Sequence, residues 1–255
     1  MTEGKPGSSG GPLAPHPDLD QYYEGEAARR RFLDSMFQTV APHYDRLSGL
    51  VSLGSGGHYR RDALRRAGLA HGMVSLDVAT GTGLVARAAR TLVGPSGRVT
   101  GLDPNAGMLA QARAVGAPLV QGSAERLPFR SGSFDFVSMA YALRHVADLD
   151  GTFQEYFRVL KPGRTVLILE FSRPRSRLGL ALGRIYLKKL VPWLARLSTG
   201  VREAEVLMTY CWHTVEHCVP GELIEAALRR AGFVEVRRFD RFGIFVEYVG
   251  RTPTR

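Results

Sequence analysis

The sequence predicts an α/β fold, a mostly parallel sheet with helices packed on both faces, and three observations carry that prediction. Strand and helix patterns alternate through residues 73–171. A glycine-bearing turn, ATGTG at residues 79–83, joins the first strand of that stretch to its first helix. Two apolar runs near the end, residues 233–239 and 242–249, stand too close together for a crossover helix. Alternation supplies the crossovers that parallel neighbours need, whereas the last two runs must pair antiparallel, as a hairpin at the sheet edge.

Taken in order, residues 1–18 (MTEGKPGSSGGPLAPHPD) are glycine, serine and proline with almost nothing to bury, and read as a flexible tail to a single domain over 19–255. From Gln21 the pattern is helical: Ala28, Phe32, Met36 and Val40 recur every four residues and the run ends at Pro42. A second helix is expected over 59–67, stopped by Gly68. Strands follow at 73–79, 98–103, 119–122, 134–139 and 165–171, with helices at 84–92, 106–115 and 149–160. Residues 174–219 are mostly helical and read as a lid on the substrate side, with Pro192 expected to break it. A helix at 220–231 then precedes the hairpin. Ligands of such sheets sit at the carboxyl ends of the strands, where the glycine turn lies.

Hydrophobic residues make up 44% of the chain and charged residues 23%, which excludes wholesale disorder. The formal net charge of +10 is almost all arginine, lysine occurring only at Lys5, Lys161, Lys188 and Lys189. Such a bias points to an anionic partner or only to codon usage. Two cysteines cannot build a disulfide framework, and no secretory signal opens the chain, so a cytoplasmic protein is expected. No apolar run is long enough to span a bilayer, which limits membrane contact to the periphery, at its inner face.

The turn fits a dinucleotide fingerprint: Gly81, Gly83 and Ala86 satisfy G-x-G-x-x-G/A, and Asp103 stands where a ribose-binding acid would. Asp77, in the strand ahead of the glycines, argues for a different ligand. A carboxylate there disfavours a diphosphate and favours a cation, such as the amino group of S-adenosylmethionine (SAM). The alternative is that Asp77 caps amides of the loop. No Lys-Ser or Lys-Thr follows the glycines, which excludes a phosphate-binding NTPase loop. Ser123 and Ala124, after the third strand, complete a coherent set for a nucleoside.

Five segments then carry a resemblance: VAPHYDRLSGLVSLGSGGHYRR (40–61), LDVATGTG (76–83), YALRHV (141–146), RVLKPG (158–163) and LEFSRP (169–174). They are similar to segments of the class I SAM-dependent methyltransferases, and within them of the UbiE/COQ5/MenG group that methylates ring carbons of ubiquinone and menaquinone precursors. The resemblance implies a Rossmann-like seven-stranded sheet and SAM as cofactor, with contacts from Thr82, Asp103, Ser123 and Ala124 beside the Gly81 and Gly83 of the turn, and with Tyr44 on a segment covering the site. It departs from the family at His145, where an asparagine is usual, and at Ala140, where a serine is.

A ring carbon becomes nucleophilic when an adjacent hydroxyl ionises, and a permanent guanidinium favours that anion. Arg144 is the candidate, with His145 and Tyr141 as base or orienter; a salt bridge at the strand end is the competing role for Arg144, and packing for His145. The segment CWHTVEHC holds Cys211, His213, His217 and Cys218, but without C-x-x-C spacing or a third ligand pattern no metal is expected, and these residues are read as lining the acceptor pocket or packing a helix. In the lid, Arg184, Lys188 and Lys189 among many leucines fit either an anionic membrane surface or a solvated helix face, and nothing indicates nucleic acid. The expected activity is methyl transfer to a hydroxylated, prenylated aromatic or quinol ring carbon. Transfer to oxygen or nitrogen, a non-catalytic assembly role, and a homodimer stay open beside it.

Overall fold

A computed structural model describes residues 13–174, 176–241 and 243–254. Its seven strands are β1 (Val74–Val78), β2 (Arg98–Asp103), β3 (Leu119–Gln121), β4 (Phe134–Ala140), β5 (Leu160–Phe171), β6 (Val234–Arg241) and β7 (Phe245–Arg251). They form one sheet in the order β3-β2-β1-β4-β5-β7-β6. The first five are parallel. The terminal hairpin is antiparallel, and its second strand lies against β5. The mostly parallel sheet and its C-terminal hairpin are as the sequence predicts.

Three helices precede the sheet: α1 (Gly25–Val40), α2 (Tyr44–Ser52) and α3 (Gly56–Arg66). The crossovers carry α4 (Leu84–Val93), α5 (Ala106–Ala112) and α6 (Leu149–Val159). Helix α4 buries Val85, Ala86, Ala89 and Val93 on one stripe and ends where Gly94 takes a positive φ. Helix α6 starts at Asp148, whose side chain accepts from the amides of Asp150 and Gly151. The lid contains α7 (Arg177–Gly183), a π-helical stretch (Arg184–Leu190), α8 (Val191–Thr199) and α9 (Arg202–Glu216), and α10 (Gly221–Arg230) returns to the sheet.

Pro192 does not break the lid helix. It stands at the start of α8 and the chain runs through it in helical conformation. A proline lacks the N–H that would reach back one turn, and the wider π turn just before it is where the ladder absorbs that loss. The expected tail is also corrected in part. Residues 1–12 lie outside the described residues, but residues 13–18 are strapped to the domain: Leu13 O accepts from Leu149 N at 2.9 Å, Pro15 O accepts from Val219 N at 2.8 Å, and His16 is 5% exposed.

Core packing divides in three. One face of the sheet buries Val137, Met139 and Ile168 against Phe153, Tyr156 and Leu228, and the other buries Phe136 and Leu167 against Leu64 and Val85. The helical cap has a core of its own, with Leu47, Leu207, Tyr210 and Trp212 at 0–1% exposure. Complete burial of a leucine such as Leu47 or Leu207 contributes about 2 kcal/mol, so the cap stands as a stable lid above the sheet.

Candidate active site

The strand order reverses at β1, which pairs with β2 on one side and β4 on the other. Crossovers on either side of such a point leave a crevice above the carboxyl ends of the strands. Both rims of this crevice bend sharply. Ala79, just after β1, has φ of 53° and Tyr141, just after β4, has φ of 58°. Left-handed backbone at a residue with a side chain costs about 1–2 kcal/mol and persists where surrounding structure imposes it.

In the turn after β1, Gly83 has φ of 85°, and a Cβ there would lie 2.5 Å from Val115 Cγ2, so conformation and space both demand glycine. Asp103, at the tip of β2, is 6% exposed; it accepts from Gly81 N at 2.8 Å and from Asn105 N at 2.9 Å. Burial pushes its carboxyl up to about 6 against those two amides, which act the other way. Asn105 in turn donates to the Asp34 side chain at 2.8 Å, tying α1 to the β2 tip.

Asp103 borders a cavity of about 340 Å³ with Gly81, Ser123, Ala124, Tyr44, Met108 and Met139 on its walls. That volume lies within the range of small-molecule sites. Glu26, Asp34 and Glu125 stand on the same walls, while Arg29 donates to the carbonyls of Arg144 and Val146 and Arg30 pairs with Glu26. A diphosphate would face four acids there. A nucleoside fits: the Asp103 oxygens can accept from ribose hydroxyls, and the methionines and Ala124 give an apolar slot for a base.

Asp77 does not reach this cavity, which corrects the expectation drawn from its position. It is 1% exposed, accepting from Thr80 Oγ1 at 2.7 Å and from Ser138 Oγ at 2.8 Å. Its carboxylate holds the base of the turn, close to the competing role of a loop cap, and burial pushes its pKa up to about 6. Thr82 and Gly83 are likewise absent from the lining. Thr82 is 3% exposed and donates to Asp45, which latches α2 onto the turn.

On the far side lies a narrow apolar slot of about 70 Å³ between the sheet and the cap. Phe171 and Phe245 contribute from the strands, Leu187, Val191, Met208 and Trp212 from the lid, and Arg60 from α3. Arg144 is, with Arg60, its charged wall. The Arg144 guanidinium is buried, pairs with Glu170, lies 3.8 Å from Cys211 Sγ and stacks 5.5 Å from the Phe171 ring centroid. Arg144 therefore has the salt bridge as well as the place in the slot, and its Nε–H and Glu170 Oε2 are left without partners. The carboxylate holds Arg144 firmly protonated although burial opposes the charge.

Phe37, Tyr44, Tyr141 and His145 border both the cavity and the slot. They form a neck between the two. The His145 ring stacks on Tyr210 at 5.8 Å and meets Phe37 edge-on at 5.5 Å, and its buried Nδ1 has no partner. Burial, then the charges of Arg144 and Arg29, hold it well below the usual imidazole range, so the ring is neutral with a lone pair to offer. Tyr141 is unsuited to the base role. Burial raises its phenol further above neutrality, and the ring stacks on Phe171 at 4.7 Å as a wall of the neck. Burial likewise pushes Tyr44 up to about 12.

The neck loop is held from behind. Arg144 O accepts from Arg29 Nη2 at 3.2 Å and faces His16 Nε2 at 3.0 Å. Neither Arg29 nor His16 stands in a motif, and nor do the slot residues Leu187 and Phe245, whereas Trp212 lies in CWHTVEHC. Glu170 lies in LEFSRP. In CWHTVEHC, Cys211 faces the slot, whereas His213 hydrogen-bonds Tyr22 at 2.8 Å. Among the described residues no cluster of metal ligands occurs. No helix among them is long and apolar enough to cross a membrane.

Comparison with known proteins agrees with this geometry. The model of the ubiE/COQ5 methyltransferase family matches residues 25–250. A ubiquinone/menaquinone biosynthesis C-methyltransferase of Pseudomonas paraeruginosa is 34% identical over 219 residues, 83% of this chain and 84% of that protein. A demethylmenaquinone methyltransferase of Lactobacillus johnsonii is 36% identical over 210 residues, 79% of this chain and 84% of that protein. Among solved structures, a SAM-dependent methyltransferase of Thermotoga maritima superposes with a TM-score of 0.60 at 20% identity, covering 87% of this chain and 99% of that one. At that identity the superposition speaks for the fold.

Proposed function

The chain belongs to the ubiE/COQ5 methyltransferase family, and from that premise we propose that it transfers the methyl group of SAM to a ring carbon of a hydroxylated aromatic acceptor of the quinol class. The observation that carries this reading is the neck: four side chains shared by a nucleoside-sized cavity and an apolar slot with a buried arginine in its wall.

Bound SAM supplies an electrophilic methyl group on a sulfonium. Asp103 would hold the ribose, Ser123 and Ala124 would border the base, and Gly81 would let the cofactor approach the backbone of the turn. Tyr44 and Phe37 close the neck against water, which protects a reactive cation from hydrolysis. In the slot, Arg144 receives the ring hydroxyl oxygen and favours its ionised form. His145 Nδ1 accepts the hydroxyl proton; with Arg144 adjacent, the imidazolium is stable only while the phenolate stands beside it. Tyr141 and Phe171 keep the ring edge turned to the neck. The new C–C bond replaces the methyl–sulfur bond and leaves S-adenosylhomocysteine. The ring carbon then loses its C–H proton to water and His145 returns the hydroxyl proton to the ring oxygen, so a turnover yields one proton beside the methylated ring. An acceptor with a prenyl tail puts the enzyme in the cytoplasm at the inner face of a membrane.

The test is to incubate the protein with isotopically labelled SAM and a panel of demethylated quinols, phenols and amines, and to locate the label by mass spectrometry. A methyl on a ring carbon of a quinol or phenol is expected. Label on oxygen or nitrogen would move the protein to another acceptor. Tight binding of S-adenosylhomocysteine with no transfer to any compound would make it a non-catalytic subunit.

A further inference from the structure

The lid helix is apolar on both of its long faces. Its inner face buries Leu187 and Val191 in the wall of the acceptor slot. Its outer face presents Leu178, Leu182, Ile185, Leu190, Trp193 and Leu197, exposed by 70, 57, 60, 41, 58 and 68%. Intervals of three and four keep side chains on one face of an α-helix, and the single interval of five, from Ile185 to Leu190, falls in the π-helical stretch, whose i→i+5 hydrogen bonds make a turn wider than that of an α-helix. The π segment thus keeps the outer stripe in line past Pro192. A continuous apolar stripe of this length is exceptional on a surface facing water, and it marks a contact.

Charge identifies what the stripe meets. Residues 172–202 contain no acidic side chain. Arg184 is tied to Glu216 and Arg196 to Glu205, which removes Arg184 from the cations expected to reach a membrane. Lys188 and Lys189, in the middle of the stripe's length, are exposed and within ion-pair distance of no acid among the described residues, although the charge of Lys188 is felt at Glu216. A second protein would have to match a row of leucines and a tryptophan while supplying anions at its margin, whereas an anionic lipid surface offers both everywhere.

We propose that the outer face of the helix at residues 177–199 is a docking surface for an anionic lipid bilayer, lying flat with Ile185, Leu190 and Trp193 among the acyl chains and Lys188 and Lys189 at the headgroups. The proposal rests on the reading of the acceptor as a lipid-dissolved ring: the same helix walls the slot from inside, so docking sets the slot beside the phase that holds such a substrate.

The test is co-sedimentation of the full chain with phosphatidylcholine vesicles, with and without phosphatidylglycerol. Binding is expected only with phosphatidylglycerol, weakening as salt rises, with a blue shift of Trp193 fluorescence. Lys188→Glu with Lys189→Glu is expected to weaken it by about thirtyfold or more, and Ile185→Glu with Trp193→Glu to abolish it, both variants keeping the wild-type melting temperature. A wild-type protein that ignores anionic vesicles overturns the proposal, as do variants that bind like wild type. A solution dimer that Ile185→Glu with Trp193→Glu dissociates, without vesicle binding, makes the face a self-interface instead and equally overturns it. A short-tailed acceptor in vesicle-free buffer separates the two readings. Both variants should methylate it at the wild-type rate, and vesicle binding with no methylation of any ring would leave the surface standing while the acceptor assignment fell.

Discussion

The two halves of the crevice are built by opposite means. The cofactor side is made of backbone: a turn at the tip of β1, amides of Gly81 and Asn105 on one carboxylate, and glycine where no side chain fits. The acceptor side is made of side chains from at least five separated segments, closed by a lid with its own core and centred on a buried ion pair. The difference teaches that binding of the cofactor and activation of the acceptor are separable. One is fixed by the sheet, and the other is set by helices, of which α2 is latched to the turn, through Asp45 and Thr82.

Arg144→Met attacks that separation most strongly. Arg144 and Glu170 are 5% and 2% exposed, so removing the guanidinium leaves an uncompensated buried carboxylate and costs about 3–5 kcal/mol of stability. Adding Glu170→Gln should return most of that loss in a thermal melt. Turnover should not return, because the group that stabilises the ring oxygen is gone, a deficit of about a hundredfold or more. Affinity for S-adenosylhomocysteine should stay at the wild-type level in the double variant. A parallel collapse of that affinity would show that the two halves are one unit.

The asymmetry also decides how much can be read from residues alone. Turn chemistry is local: a positive φ calls for glycine within a few residues of a strand, and the partner acid sits at the next strand tip, so Gly81, Gly83 and Asp103 are visible as a pattern, as is the alternation that makes the parallel sheet. Leu187, Met208 and Phe245 meet only after the chain folds, and each alone looks like any core residue. Asp77 shows a second limit. Spacing places it beside the turn, but only the neighbours across the sheet, Ser138 on β4 and Thr80 in the turn, decide that its carboxylate points away from the cavity. Residues 13–18 are hidden for a third reason, since their strap is held by the carbonyls of Leu13 and Pro15, which composition cannot register.

Asp103→Asn tests the cofactor half with a smaller effect. Two hydrogen bonds to a carboxylate become weaker ones to an amide, and a loss of about tenfold to thirtyfold in affinity for S-adenosylhomocysteine is expected by calorimetry. The pH dependence has a definite sign. Burial holds Asp103 at about 6 in the free protein, so below that pH a proton competes with the ribose hydroxyls. Affinity should fall as pH drops from 7 to 5, by up to about tenfold per pH unit, and the asparagine variant should lose this slope. A wild-type affinity flat across that window would mean that the ribose hydroxyls do not bond to the carboxylate.

The smallest functional effect is expected one strand away, at Asp77. It lies under the turn with both oxygens occupied and without access to the cavity, so Asp77→Asn should leave S-adenosylhomocysteine affinity within about threefold of wild type, the size of one weak polar contact. Its signature lies in folding instead. Burial raises this carboxyl from 3.8 to about 6, so between those values the folded chain keeps a proton that the unfolded chain has released, and ionisation opposes folding. Wild-type stability in urea should therefore decline as pH rises through that window, by up to about 1.4 kcal/mol per pH unit for one such carboxyl. Asp103 contributes a slope of the same sign, so the asparagine variant should keep part of the decline and lose the rest. An affinity loss matching that of Asp103→Asn would put the Asp77 carboxylate in contact with the cofactor and make the turn a two-acid grip.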